Sequence, residues 1–126
     1  MNYSAGDLID RLNIVKLKCE RLGDDGVLYY EERDVLQKEV DLIVVSSENK
    51  LILSLAESQN YWANAYIWDL EKDIRTGALD NNKERVGDLA IIIRKFNALR
   101  VGSKNIINAL TKTGFQERKL DHVSQQ

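Results

Sequence analysis

The chain has 126 residues, enough for one domain with a single hydrophobic core. Hydrophobic residues make up 44% and charged residues 30% of the sequence, which is too apolar for a disordered chain and too charged for a membrane span. One cysteine and one histidine exclude an internal disulfide and a zinc site of Cys and His ligands from one chain. We therefore expect a water-soluble cytoplasmic protein that has no contact with a membrane.

The net charge of −2 conceals an asymmetry along the chain. Residues 1–79 contain 9 Lys and Arg against 15 Asp and Glu, a net charge of −6, whereas residues 80–126 contain 9 against 5, a net charge of +4. The simpler interpretation is that acidic and basic helices lie side by side, within or between subunits. The alternative is a basic face for an anion such as a nucleotide. Nucleic-acid binding is disfavoured by the acidic remainder of the chain.

Proline is absent, so long helices are expected. Ser4 and Asp7 have the spacing of a capping box, which predicts the start of the first helix. Apolar side chains then recur every three or four residues and predict one buried stripe: Ala5, Leu8, Leu12, Val15, Cys19 and Leu22. Gly23 can adopt the left-handed conformation that ends this helix.

A tight turn is predicted at Asp24, Asp25 and Gly26, followed by a second helix that includes Leu28. Residues 40–45 are rich in β-branched side chains, but a single strand would have no partner, so we predict helix there. Ser46 or Ser47 could cap a third helix, or helices two and three could form one long kinked helix. We favour a break at these serines.

The third helix carries an unusually wide apolar surface. Its two neighbouring faces are formed by Ala56, Ala63, Ile67, Leu70 and Ile74 and by Leu55, Trp62 and Tyr66. A helix with such a surface must be covered on more than one side. Because six residues turn a helix by roughly 240°, Trp62 and Trp68 cannot both face one thin core. We therefore predict a homo-oligomer whose interface includes Trp68, Tyr61 and Ile67.

The last helix is predicted to begin at a capping pattern of Asn81 and Glu84. Gly102 interrupts its apolar stripe and suggests a bend or a close approach to another backbone, and Gly114 is a plausible terminator. The predicted fold is an all-α antiparallel bundle of three to four helices over residues 1–115, with a polar tail over residues 116–126.

Two basic side chains, Arg100 and Lys104, lie at the edge of the apolar stripe of the last helix. There an arginine can lay its stem on apolar surface and present its guanidinium group to a phosphate. Trp62 and Tyr66 could stack on a base, with Asn64 as an amide donor. These five residues form a candidate site for a small anionic nucleotide. The alternative for the two cations is a salt bridge to an acidic helix of the bundle.

A second candidate site uses the acidic residues of helices two and three. Glu32 with Asp69 or Asp73 could converge on Mg²⁺, as in all-helical nucleotide pyrophosphohydrolases, although the paired-glutamate motif of those enzymes is absent. The alternative is an ordinary solvated face. We predict no catalytic residue. His122 lies in the tail and has no partner that would suggest acid–base catalysis, and Cys19 lies on the apolar stripe of the first helix, where it is expected to be a small buried side chain.

Two short segments resemble a known group of proteins. The segment from Ser4 to Val15, SAGDLIDRLNIV, resembles the opening of some small, uncharacterised helical proteins that bacteria and their phages encode. The third helix contains a segment that is similar to a second signature of that group, an Asn followed by Trp-x-Leu-Glu. Its residues here are Asn64, Trp68, Leu70 and Glu71. Together these segments cover less than a quarter of the chain. The resemblance implies a helical fold and no particular activity.

These observations favour a non-enzymatic, homo-oligomeric binding protein without a cofactor. A phage or bacterial origin suggests an accessory protein that blocks host defence, by binding a host protein or by sequestering a small nucleotide. The alternative function is a Mg²⁺-dependent nucleotide pyrophosphohydrolase.

Overall fold

The computed structural model describes residues 3–113, which form four α-helices and one 3-10 helix and contain no strand. The helices are α1 (Ala5–Arg21), α2 (Tyr30–Ser46), α3 (Lys50–Arg75) and α4 (Lys83–Thr111), with the 3-10 helix at Gly23–Tyr29 between α1 and α2. The all-α prediction is confirmed. The predicted tail, Gly114 and His122 lie outside the described residues. Over residues 3–113, no helix combines the length and the apolar character that a membrane crossing requires.

Side chains that precede the helices determine where α1, α3 and α4 begin. Ser4 Oγ accepts a hydrogen bond from the Asp7 amide at 3.1 Å, as predicted. The cap of α3 is Asn49, not Ser46 or Ser47, since the Ser46 hydroxyl donates to a carbonyl at the end of α2. The cap of α4 is Asn82, one residue after the predicted Asn81. The predicted break between helices two and three is confirmed.

The connection between α1 and α2 is a 3-10 helix, and the prediction of a tight turn there was wrong. Gly23 has a φ of 58°, the left-handed conformation predicted for the end of α1. Gly26 is buried, and a Cβ at that position would lie 2.5 Å from the Cys19 carbonyl oxygen. The 3-10 helix therefore packs over the end of α1, where Cys19 is only partly buried. Leu28 is exposed instead of joining the second helix.

The hydrophobic core lies where α1, α3 and α4 meet, and α2 runs antiparallel along one side of α1. Lys18 near the end of α1 lies over the ring of Tyr29, which immediately precedes α2, and Arg11 in the middle of α1 pairs with Glu32 in the first turn of α2. Val40 is the one fully buried side chain that α2 contributes within the described part of the chain. The central apolar cluster consists of Ala5, Ile9, Leu12, Val40, Leu53, Ala56 and Ile107.

The close approach of two backbones occurs at Gly6 and not at Gly102. A Cβ on Gly6 would lie 2.6 Å from the Lys104 carbonyl oxygen, whereas a Cβ on Gly102 would meet nothing within 4 Å. The Gly6 amide donates to Asn108 Oδ1 at 2.8 Å. The absence of a side chain at residue 6 thus allows the first turn of α1 to contact α4 directly.

We predict opposite effects when an alanine replaces each of these two glycines. Gly6→Ala should lower the free energy of unfolding by about 1–3 kcal/mol, because the added methyl group must push α1 away from α4. Gly102→Ala should raise it by roughly 0.5–1 kcal/mol, because alanine is the better helix former and the position is open. Urea denaturation followed by circular dichroism measures both. Equal effects would contradict the packing at Gly6.

Candidate functional site

The interior of the bundle contains a carboxylate. Asp10 of α1 is 5% exposed and lies among the apolar residues of the core. Its Oδ1 accepts hydrogen bonds from Arg100 Nε at 2.8 Å, Asn64 Nδ2 at 3.0 Å and Asn60 Nδ2 at 3.1 Å. Its Oδ2 accepts from Arg100 Nη2 at 2.7 Å. The buried charge is therefore paired with a guanidinium group from α4 and solvated by two amides from α3.

The hydrogen bonds continue beyond these four residues through two more side chains, Asn13 and Ser103. Asn60 Oδ1 accepts from Asn13 Nδ2 at 2.9 Å, and Asn60 Nδ2 donates to Ser103 Oγ at 3.1 Å. The Ser103 hydroxyl in turn donates to the Arg100 carbonyl at 2.6 Å. We call the six residues the Asp10 network: Asp10, Asn13, Asn60, Asn64, Arg100 and Ser103. It joins all three helices of the core.

The electrostatics of Asp10 reflect two opposing effects. Burial alone raises the pKa of this carboxyl, but the hydrogen bonds from Arg100, Asn64 and Asn60 outweigh it and leave the pKa below the ordinary value of 3.8. The same contact raises the pKa of the Arg100 guanidinium. Asp10 is consequently a carboxylate at neutral pH and acts as an acceptor of hydrogen bonds.

The two basic residues predicted to hold an anion are both engaged inside the bundle. Arg100 pairs with Asp10, and Lys104 Nζ lies 2.8 Å from Asp7 Oδ1. Burial raises the pKa of Asp7, but the contacts with Lys104 and Ser4 lower it overall. The structure therefore has the alternative considered from the sequence, in which both cations form salt bridges within the bundle. Both acidic partners lie on α1.

The structure does not bring together the five residues of the predicted nucleotide site. Asn64 is buried in the Asp10 network. Tyr66 stacks on Phe96 of α4, with the ring centroids 4.9 Å apart, and half of it is exposed. The Trp62 ring packs edge-on against Tyr61 at 5.4 Å and lines a different groove from the one that contains Asn64 and Arg100.

The three residues predicted at an oligomer interface are mostly covered by other residues of the same chain. Ile67 is buried, and Tyr61 is partly buried and donates to Glu20 Oε2 at 2.6 Å. Trp68 is partly buried and lines a shallow groove of about 340 Å³ together with Arg100. The exposed apolar side chains of α3 belong to a different stripe, which is described below.

The two segments that carry the family resemblance meet at the Asp10 network. Asp10 of the first segment accepts a hydrogen bond from Asn64 of the second. Four residues further along each helix, Ile14 and Trp68 line the same groove of about 340 Å³. Asp10, Ile14, Asn64 and Trp68 therefore belong to one contact between α1 and α3.

The carboxylates of the predicted Mg²⁺ site lie apart. Glu32 pairs with Arg11 and Asp69 pairs with Arg21. Since ten residues of α1 separate these arginines, the two carboxylates contact the helix about 15 Å apart. Among residues 3–113, no group of three or more His, Cys, Asp or Glu side chains is arranged to hold a metal ion. The geometry favours the alternative of solvated, salt-bridged carboxylates.

A second groove lies between α1, α2 and α3 and has a volume of about 590 Å³. Its lining combines cationic, acidic, hydroxyl and aromatic groups: Asn13, Lys16, Glu20, Arg33, Ser54, Glu57, Ser58, Tyr61 and Trp62. Trp62 is the single member of the predicted nucleotide site that lines it. We call it the Trp62 groove.

Comparison with known proteins finds no match for this chain among protein-family models, curated proteins or solved structures.

We predict that Asp10→Asn destabilises the protein by about 2–4 kcal/mol at neutral pH, because Arg100 loses its charged partner and one acceptor oxygen of the network is replaced by an NH2 donor. A carboxyl whose pKa is lower in the folded chain contributes stability above its unfolded pKa, and this contribution disappears as the pH falls through the folded pKa. The difference between wild type and variant should therefore shrink below pH 3.8.

The matched control is Asp69→Asn, which removes an exposed ion pair on the same bundle. Its cost should stay below about 1 kcal/mol. Denaturant unfolding at a series of pH values provides the measurement. A cost for Asp10→Asn no greater than that of the control would show that the Asp10 network does not stabilise the core.

Proposed function

We propose that this protein is a non-enzymatic helical binding protein that associates with a second copy of itself through the outer side of α3 and α4. The supporting observation is a continuous band of exposed apolar side chains on these two helices. Arg100 and Lys104 pair with Asp10 and Asp7 of α1, which supports a role for these two cations in stabilising the bundle and not in catalysis.

The part of the band on α3 follows one side of the helix. At 100° per residue, Leu51, Leu55 and Tyr66 fall within about 60° of one another. Each is exposed by at least half of its surface. An isolated exposed leucine is ordinary, but three large apolar side chains aligned over sixteen residues belong to one surface.

Two contacts show that this stripe borders α4. Gln59 Nε2 donates to the Leu99 carbonyl at 3.0 Å, and the Tyr66 ring stacks on Phe96. Both contacts lie at the surface, so the exposed side of α3 continues onto α4. There Leu99 and Ile106, two helical turns apart, are exposed by 48% and 41%. We define the α3–α4 face as Leu51, Leu55, Tyr66, Leu99 and Ile106.

The size of the α3–α4 face fits a second copy as its partner. A large side chain has an area of roughly 150–250 Å², so the five together expose on the order of 500–600 Å². Each partner in a standard protein interface buries about 800 Å². Neighbouring polar side chains at the rim would supply the remainder.

The charges beside the face also suit an isologous pair. The helix α4 carries six Lys and Arg against two Asp and Glu, whereas α3 carries three against four. A two-fold axis that lays α4 of one copy beside α3 of the other would bring a basic helix against a weakly acidic one. An arrangement that laid α4 of one copy beside α4 of the other would instead bring two basic helices together.

We predict that Leu99→Glu converts a dimer into a monomer, because the substitution places a carboxylate at the centre of the apolar contact. Leu55→Glu should act in the same way from α3. Light scattering after size exclusion, at protein concentrations from 1 to about 100 µM, should give twice the chain mass for wild type and one chain mass for the variants.

Leu28→Glu is the matched control, since Leu28 is 78% exposed in the 3-10 helix and lies outside the α3–α4 face. This variant should remain dimeric. A wild-type protein that is monomeric at the highest concentration would overturn the proposal. A control that dissociates as readily as Leu99→Glu would contradict the assignment of the face.

A further inference from the structure

The Trp62 groove brings an aromatic wall together with two cations and two carboxylates. Tyr61 is held by its hydrogen bond to Glu20, and the Trp62 ring packs edge-on against Tyr61. Burial, followed by the contact with Glu20, raises the pKa of the Tyr61 hydroxyl, which therefore remains a donor to Glu20. The indole is thus supported from one side, and a support of this kind lowers the entropic cost of binding a planar ligand.

The floor of the groove is formed by small side chains. Ser54, Ser58 and Trp62 follow one another at intervals of four residues along α3, so they lie in a row. The two serines are small and add hydroxyl groups to the lining beside Trp62. A planar ring can lie there against Trp62, as aromatic bases do in single-strand binding proteins.

Glu57 is a partly buried carboxyl that no side chain neutralises at close range. Lys16 influences it electrostatically, but among residues 3–113 neither group takes part in an ion pair within 4.0 Å. Burial raises the pKa of the Glu57 carboxyl. A ligand with adjacent N–H donors would satisfy its two oxygens, which can accept a pair of parallel hydrogen bonds.

Two cations complete the lining of the groove. Lys16 of α1 has no carboxylate partner in the described part of the chain. Arg33 of α2 contacts Asp34 through Nε at 3.0 Å and lies 4.6 Å from the centre of the Tyr30 ring, which fixes its direction. They supply the cations that a phosphate group would contact, while Glu20 and Glu57 balance their charge in the lining as a whole.

We propose that the Trp62 groove binds a guanine nucleotide, with the base against Trp62, its N–H edge on Glu57, and its phosphate on Lys16 and Arg33. Guanine presents a ring N–H and an amino group side by side, which matches a carboxylate, whereas uracil lacks this pair of donors. The volume of about 590 Å³ lies within the range of small-molecule sites.

The inference deepens the binding role proposed above but does not depend on the dimer, because one chain supplies every lining residue. It also relocates the cations of the nucleotide site. The sequence suggested Arg100 and Lys104, and the structure places Lys16 and Arg33 beside Trp62 instead.

The test is calorimetric titration of the full chain with guanosine 5′-monophosphate (GMP), uridine 5′-monophosphate (UMP), guanosine and inorganic phosphate. GMP should bind with a dissociation constant below about 1 mM and at least about tenfold more tightly than UMP or phosphate. Trp68→Phe should leave this affinity unchanged. Because the chain has two tryptophans, this variant also makes Trp62 the sole one, so that quenching of its fluorescence reports the site.

Three substitutions separate the parts of the groove. Glu57→Gln should weaken GMP by roughly 10- to 100-fold and remove the preference over UMP. Trp62→Ala should weaken both nucleotides by about tenfold. The double variant Lys16→Gln/Arg33→Gln should reduce the affinity for GMP to that for guanosine. Since none of these groups pairs across the core, circular dichroism should show folded variants.

The proposal is overturned if wild type shows no saturable binding of GMP, if Glu57→Gln binds GMP as wild type does, or if phosphate alone binds equally well. Titration of Leu99→Glu separates this inference from the dimer. GMP binding by a monomeric wild type would remove only the dimer proposal, whereas a dimer that ignores GMP would remove only the ligand proposal.

Discussion

The carboxylate of Asp10 lies inside the bundle, and its need for hydrogen-bond donors constrains every helix around it. Arg100 reaches it from α4, and Asn60 and Asn64 reach it from α3. An apolar core can tolerate a small sliding of one helix along another, since one methyl group replaces the next. A buried charge cannot, because a displacement of one residue removes its donors and leaves it unpaired at a cost of several kcal/mol. The Asp10 network thereby fixes the register of α1, α3 and α4.

The same network limits how much apolar surface the interior can hold. Asn13, Asn60 and Ser103 are fully buried and occupy positions at which leucine or isoleucine would ordinarily lie. In a chain of this size, the core cannot also enclose every large apolar side chain. Those of the α3–α4 face consequently remain outside. On α3 and α4, polar side chains thus occupy interior positions while large apolar side chains occupy exposed ones.

The sequence was sufficient to predict the helices, because apolar spacing, capping side chains and glycines determine helices through residues that are close together in the chain. Ser4, Gly23 and the break before α3 could be predicted on that basis. The Asp10 network joins residues up to 93 positions apart, and no local pattern indicates which arginine faces which carboxylate. One signal was present: Asp10, Asn60 and Asn64 fall on apolar helix faces, where polar residues require partners. For the same reason, spacing could place Trp62 and Arg100 on their helices but could not show that they lie on different sides of the bundle.

The difference in length between α2 and α3 accounts for the position of the Trp62 groove. With 17 residues, α2 is about 25 Å long, whereas α3 with 26 residues is about 39 Å long. A second helix that matched α3 in length could cover its whole flank, but α2 packs mainly along α1. Part of the α3 flank therefore stays open, and the side chains in the gap face one another across solvent. Cations from α1 and α2, an aromatic pair from α3 and an unpaired glutamate meet there because the bundle does not close over them. The groove is thus a consequence of how the chain divides its length among four helices.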